Sequence, residues 1–445
     1  MPIVCHRIRV AGFLVWGLLA LLAPAAVLAA EEPTWQEVVD GLRPYSGPSN
    51  SGVDVSTLRG KVMCGYQGWF AANGDGLGRG WFHYQRGGRF EPGRCSIDLW
   101  PDMSELDEDE KYETAFRQGD DSPAYAFSSV NRKTVLRHFQ WMQQYGIDGV
   151  FVQRFTPRQG DTDQLRHTCT VLGHCREGAN LAGRTYAVMY DMHFDARAIE
   201  QTKADWRLLV DRMQITADPA YLRHGGRPVI SLWGMGFTDR RFDAAETKAL
   251  LDFLHNDPQY GGMTVMLGVP AWWLTLKSDC HDDPAVHDVL QMADIVSPWN
   301  VGRYARTEDV THHAEIRMRP DMDWCRAYGK DYLPVVFPGF SWHNLRGGDA
   351  KQPLDQIPRR KGEFLWSQFV EAKRAGATMT YVAMFDEMDE GTAIFKCTND
   401  PPVGPSPFLT YEGLPSDHYL WLTGVGGRLI RGEIQPSEEL PQRTQ

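Results

Sequence analysis

Short apolar runs recur along the chain from residue 61 onward, with helix-patterned stretches between most of them. The runs are Lys61–Phe70 (KVMCGYQGWF), Ile147–Phe155, Thr185–Met192, Pro228–Gly234, Thr264–Pro270, Ala293–Trp299, Tyr332–Pro338 and Thr378–Phe385. Their β-branched and aromatic content reads as strands buried on both faces. Asn131 is the N-cap of a predicted helix with Val135, Leu136, Phe139 and Met142 on one face. Ile199–Ala217, Arg241–His255, Thr307–Tyr328 and Gly362–Ala375 carry similar spacing. Strands alternating with helices predict parallel βα units, and eight of them close into a barrel. The alternative, an open doubly wound sheet, lacks its glycine-rich phosphate loop after the first strand. The predicted fold class is therefore α/β, a (β/α)8 barrel with long loops at its C-terminal face.

Around residues 61–400, assigned to the barrel, the chain changes character. Residues 31–60 are polar and turn-rich and read as an entry segment. The stretch from Ala71 to Val130 has no clear period, and a loop of that length predicts a lid or binding wall. Residues 401–445 form an extension with a short predicted helix near Asp417–Leu422 and a polar end predicted to be disordered. At the start, His6, Arg7 and Arg9 precede an apolar run to Ala30 that closes on small residues, the pattern of a secretory signal peptide over residues 1–30. A retained membrane anchor is the other reading of that run. Export to the periplasm or medium is the expectation, as a monomer free of the membrane after cleavage.

Cysteine usage is consistent with export. Seven cysteines follow the leader, so at least one is unpaired within the chain. Cys169 and Cys175 bracket CTVLGHC, read as a polar loop, and are the predicted local disulfide; Cys64, inside a strand, is the predicted inert thiol. No spacing resembles a zinc site. A net charge of −11 without a Lys/Arg run argues against nucleic acid and anionic membranes as partners.

In such a barrel the chemistry lies where the strands end. The first strand ends at Tyr66, Gln67 and Trp69, followed by Trp81, His83 and Tyr84; the second ends at Gln153 and Arg154 and the third at Asp191. Trp233, Trp272, Trp273 and Trp299 follow at later exits, and the seventh offers Trp342, His343 and Asn344. Aromatic faces beside neutral hydrogen-bonding groups suit a neutral oligo- or polysaccharide, and few Lys or Arg are there for a phosphorylated one. Each residue also has a plainer reading, as barrel packing for the Trp residues and loop hydrogen bonding for His83, His343 and Asp191. His312 and His313 read as surface.

The eighth exit is the most informative. Asp386, Glu387, Asp389 and Glu390 lie within five positions and Gly391 follows. Crowded acids raise one another's pKa values, and two carboxyls pushed apart supply the acid and base of glycosidic cleavage. Four acids could instead hold Ca²⁺, although the spacing is not that of a calcium loop.

Asp386-Glu387-Met388-Asp389-Glu390-Gly391-Thr392 resembles the eighth-strand motif of glycoside hydrolase family 99. Gly65-Tyr66-Gln67-Gly68-Trp69-Phe70, with Trp81 and His83 after it, resembles that family's first strand and loop, best in its secreted bacterial 71/99-like branch. The resemblance implies a cofactor-free (β/α)8 enzyme acting on α-linked mannose-type glycans with retention. Glu387 would deprotonate the sugar's own 2-hydroxyl, which attacks the anomeric carbon, and Glu390 would protonate the departing oxygen. Substrate would touch Tyr66, Trp69, His83, Gln153, Asp191, Trp233, Trp273, Trp299, Trp342, His343 and Asp386. The chain departs from the family at Asp386, where the motif has Asn, and at Asp389, where it has His. Both additions raise the glutamates' pKa values unless Arg154 or Lys396 offsets them. Two rivals stand beside this reading. One is a double-displacement glycosidase with Asp191 as nucleophile and Glu390 as acid. The other is a glycan-binding barrel without catalysis.

Overall fold

All eight predicted runs contribute parallel strands to one sheet. In the computed structural model, which describes residues 32–158 and 160–443, these are β1 (Val62–Tyr66), β2 (Gly149–Phe155), β3 (Thr185–Asp191), β4 (Arg227–Trp233), β5 (Thr264–Pro270) and β6 (Ile295–Trp299). β7 is split into Asp331–Tyr332 and Val335–Val336, and β8 is Thr380–Val382. The predicted signal peptide lies outside the described residues. Each strand pairs in parallel with its neighbours, and β1 lies between β2 and β8. The two halves of β7 complete the ring: Tyr332 pairs with Val296 of β6, and Val335 with Tyr381 of β8. Pro334 separates the halves because it has no N–H for the ladder, yet its carbonyl still accepts from the Tyr381 N–H.

A layer of helices surrounds the strands. Asn131 caps Arg132–Tyr145 as expected, its side chain accepting from the Lys133 N–H. Thr162–Ala182 is a helix that the polar reading of CTVLGHC missed, and it overturns the predicted disulfide. Cys169 and Cys175 are six residues apart on it, about 9 Å along the axis and on different faces, beyond disulfide reach. Both are buried free thiols, as is Cys64. His313 is also corrected: it is buried, and its Nε2–H donates to Asn300 Oδ1 at 3.1 Å.

The long segment after β1 is a packed wall. It contains an antiparallel hairpin, Tyr112–Arg117 with Pro123–Ala126, and a core of Phe90, Trp100 and Phe116. The C-terminal helix runs over His418–Arg431, more than twice the predicted length, and buries Tyr419, Leu422 and Ile430. Beyond it the chain stays attached where disorder was expected: Ser437 O accepts from Trp366 Nε1, and Arg443 forks onto Asp417. Among the described residues no helix is long and apolar enough to cross a membrane.

Candidate active site

The site grows from the junction of β1 and β8. After Val382 the chain leaves the ladder and turns at Asp386–Gly391; glycine is needed at 391 because φ is +63° and a Cβ there would meet Ser341 backbone at 2.9 Å. Asp386 is fully buried, and its two oxygens accept the Gln67 and Gly68 N–H groups at 2.7 and 2.8 Å. It ties the first strand's exit to the last one's. Burial pushes its carboxyl up to about 7, against the pull of the two N–H donors. With its backbone fixed, Gln67 reaches Glu387: Nε2 donates to Oε1 at 2.5 Å, while Thr392 Oγ1 donates to Oε2 at 2.6 Å.

Glu387 and Glu390 line one cleft of about 630 Å³. Burial, then the charges of Glu390 and Asp389, hold Glu387 well above the ordinary carboxylate range. Burial and the Asp389 charge push Glu390 up to about 7, moderated by the Arg346 guanidinium. Two carboxyls raised by burial and by neighbouring charge can hold different protonation states near neutral pH, so the pair can present one acid and one base. Asp389 sits beside both, and its Oδ2 accepts from His83 Nδ1 at 3.0 Å. His83 in turn stacks on Trp69 at 3.8 Å, with the rings 4° from parallel.

Gln153, Asp191, Trp233, Trp299 and Trp342 line this cleft, together with Trp69. His83 lines an adjoining pocket that shares Trp69. Asp191 is ion-paired with Arg240 at 2.7 Å, and burial raises its carboxyl despite that charge. Trp233 and Trp299 meet edge to face at 5.3 Å, and the Arg346 guanidinium lies 4.0 Å over Trp342.

Four expected contacts belong elsewhere. Tyr66 is fully buried, and its hydroxyl bonds His138 Nδ1 at 2.9 Å in the helix layer. Trp273 is likewise buried, donating to Asp321 at 3.1 Å. His343 holds its own loop through Gln352 O. Asp386 has both oxygens engaged by backbone and positions Gln67 instead. The offsetting cations are also different: Arg154 is bound to Asp205, and Lys396 to Glu105. Arg346 takes that place beside Glu390. The calcium reading fails on partners, since both Asp386 oxygens are taken by the β1 exit's N–H groups and Asp389 Oδ2 by His83. Among the described residues no group of His, Cys, Asp or Glu is arranged for a metal.

Two supporting residues escaped the sequence reading. Asp98, fully buried in the long wall, accepts from Ser341 Oγ and from the His343 and Asn344 N–H groups at 2.5, 2.7 and 2.8 Å. Its own N–H donates to Met388 O, so this one residue joins the loops after β1, β7 and β8. Arg359 Nη2 donates to Gly391 O and Ala393 O at 2.8 and 2.7 Å, bracing the turn beyond Glu390.

Neither a family model nor a curated protein matches the chain. Among solved structures it is similar to the glycoside hydrolase family 99 endo-α-mannosidase from Bacteroides thetaiotaomicron, with a TM-score of 0.60 and 15% identity over 84% of this chain and 99% of that one. A structure of the endo-α-mannosidase from that organism in complex with bis-tris-propane gives a TM-score of 0.58 at 16% identity, over 85% and 99% of the two chains. A glycoside hydrolase-like protein gives 0.51 at 10% identity, over 87% and 98%. Identities this low speak to the fold alone. The fold this chain shares with those proteins is the family 99-like (β/α)8 barrel.

Proposed function

We propose that the protein is a glycoside hydrolase that cleaves an α-linked, mannose-type glycan with retention, through attack by the substrate's own 2-hydroxyl. One observation carries this reading. Glu387 and Glu390 share a cleft in which Trp69 Nε1, Trp233 Nε1, Gln67 Oε1 and Gln153 Oε1 are buried without a hydrogen-bond partner. Buried polar atoms left unpaired are costly and rare, and donors interleaved with acceptors beside indole faces suit the hydroxyls and apolar faces of a sugar. Glu387, the deeper of the two and held by two donors, is the base for the 2-hydroxyl. Glu390, half-buried at the wall of the cleft, is the acid for the departing oxygen.

When the substrate supplies the nucleophile, no enzyme carboxylate has to reach the anomeric carbon. The ~5 Å spacing of double-displacement glycosidases is then not required. The fold shared with a family 99 endo-α-mannosidase points to the same substrate class, and the leader-like residues 1–30 make export part of the proposal.

The test is hydrolysis of a panel of α-mannans and α-mannosides by the purified protein, with the first-formed anomer read by NMR. Cleavage with retention is expected, and a 2-deoxy substrate should not turn over. Inversion, or full turnover of the 2-deoxy sugar, would remove the neighbouring-group route. Binding without any cleavage would leave a glycan-binding barrel.

A further inference from the structure

Three cavities meet at the exit of β2. Besides the cleft of the glutamate pair, one of about 390 Å³ runs past the Asp191–Arg240 pair, and another of about 280 Å³ shares Trp69 as a wall with the cleft. Phe155 lines all three. The third pocket is chemically distinct. The main cleft carries Asp191, Asp239, Asp279, Glu387 and Glu390, whereas no carboxylate among the described residues lines the third. The Arg79 guanidinium lies 3.7 Å over the Phe82 ring in its wall, with Asp75, Asp161 and Asp163 acting on it only at longer range. His167 is 2% exposed; its Nε2–H donates to Gly68 O at 2.8 Å, which leaves Nδ1 a buried acceptor without a partner. Gln153 Oε1 is a second such acceptor, shared with the main cleft.

A linear chain threading a three-armed cavity fills two arms. The third arm is apolar on Phe82, Phe155 and Val171, and its buried acceptors call for hydroxyl donors. Its volume falls below the range of sites for drug-sized ligands and suits one ring rather than a chain. We propose that this pocket seats a single-sugar branch of the substrate, so that the preferred glycan is branched at or next to the unit held by Glu387 and Glu390. This rests on the hydrolase reading and narrows it. His167 and Gln153 accept from the branch hydroxyls, and Arg79 donates to its oxygens.

The experiment compares kcat/KM on a linear α-mannan and on an α-mannan carrying single-sugar branches, for the wild type, Thr168→Trp and Arg79→Ala. Thr168 is half-buried in the pocket wall, and its hydroxyl bonds only helix carbonyls, so an indole there fills the pocket. The wild type should prefer the branched glycan by about tenfold or more. Thr168→Trp should collapse that ratio towards one, and Arg79→Ala should lower it partway. Equal wild-type rates on both glycans, or a ratio unmoved in both variants, would overturn the proposal. If no mannan is hydrolysed, the hydrolase reading fails by itself, and calorimetric titration with the same two glycans still decides the branch pocket: tighter wild-type binding of the branched one, lost in Thr168→Trp, supports it, and any other pattern overturns it.

Discussion

Gln67 Nε2 donates to Glu387 Oε1 across 2.5 Å, joining the exit of β1 to that of β8. The amide is aimed because Asp386 holds the Gln67 N–H from the same β8 turn. In the proposed role of Glu387 as base, a hydrogen bond set by a rigid neighbour needs no reorganisation when the proton is taken. Gln67→Ala should therefore lower kcat by about 10- to 100-fold with a smaller change in KM. Steady-state kinetics beside a melting curve checks this, and an effect confined to KM would count against it.

Asp386 and Gln67 form one unit, so Asp386→Asn should act on both activity and stability. An amide can accept only one of the two N–H groups and turns its NH₂ towards the other. The loss expected for a buried donor left unsatisfied is about 1–3 kcal/mol. Chemical denaturation at pH 6 reads it, and a neutral effect would show that the two N–H bonds are dispensable.

Asp389 and Arg346 push Glu390 in opposite directions, the carboxylate upward and the guanidinium downward. If Glu390 must be protonated to act, the alkaline limb of kcat/KM lies near pH 7 and tracks that group. Asp389→Asn should move the limb to lower pH and Arg346→Ala to higher pH. Shifts of the same sign in both variants would exclude Glu390 as the titrating acid.

A carboxyl raised in the folded state binds its proton there more tightly than in the unfolded chain. Its contribution to stability is present below the unfolded value near 4.5 and is lost as pH rises through about 7. Glu390→Gln removes that loss. The Tm of this variant relative to wild type should be higher at pH 8 than at pH 5, measured by calorimetry at both. A difference independent of pH would mean that Glu390 titrates in its ordinary range.

How much of this was legible in the chain depended on range. Parallel strands buried on both faces show as apolar runs, so all eight were visible. The break in β7 followed from one residue, Pro334, inside an otherwise regular run. Thr162–Ala182 was missed because its buried face carries His167, Cys169, Cys175, Arg176 and Asn180, which blur the apolar period; the mistaken disulfide followed from that. Glu387 and Glu390 were legible because acids crowded at a strand end are conspicuous. Tyr66 and Trp273 show the cost of reading every residue at a strand end as part of the site, since neighbouring side chains alternate in direction and half point into the helix layer. Asp98 left no local signal: a single Asp in an aperiodic loop gains its meaning from Ser341, which lies 243 residues away.

Asp98 also yields a prediction of its own. Asp98→Ala would leave three buried donors without an acceptor, at about 1–3 kcal/mol each before relaxation. Loosening of the loops after β7 and β8 should appear as faster hydrogen exchange in residues 339–348 and 386–393. Unchanged exchange there would show that the wall does not hold the site.

The division of labour between the glutamates is tested most directly by varying the leaving group. Glu390→Gln should lose about 100-fold or more on an α-mannan, whose departing oxygen needs a proton, yet stay within about tenfold of wild type on an α-mannosyl fluoride, which needs none. Glu387→Gln should be inactive on both. Equal losses by Glu390→Gln on glycan and fluoride, or a Glu387→Gln enzyme still active on the fluoride, would contradict the roles assigned here.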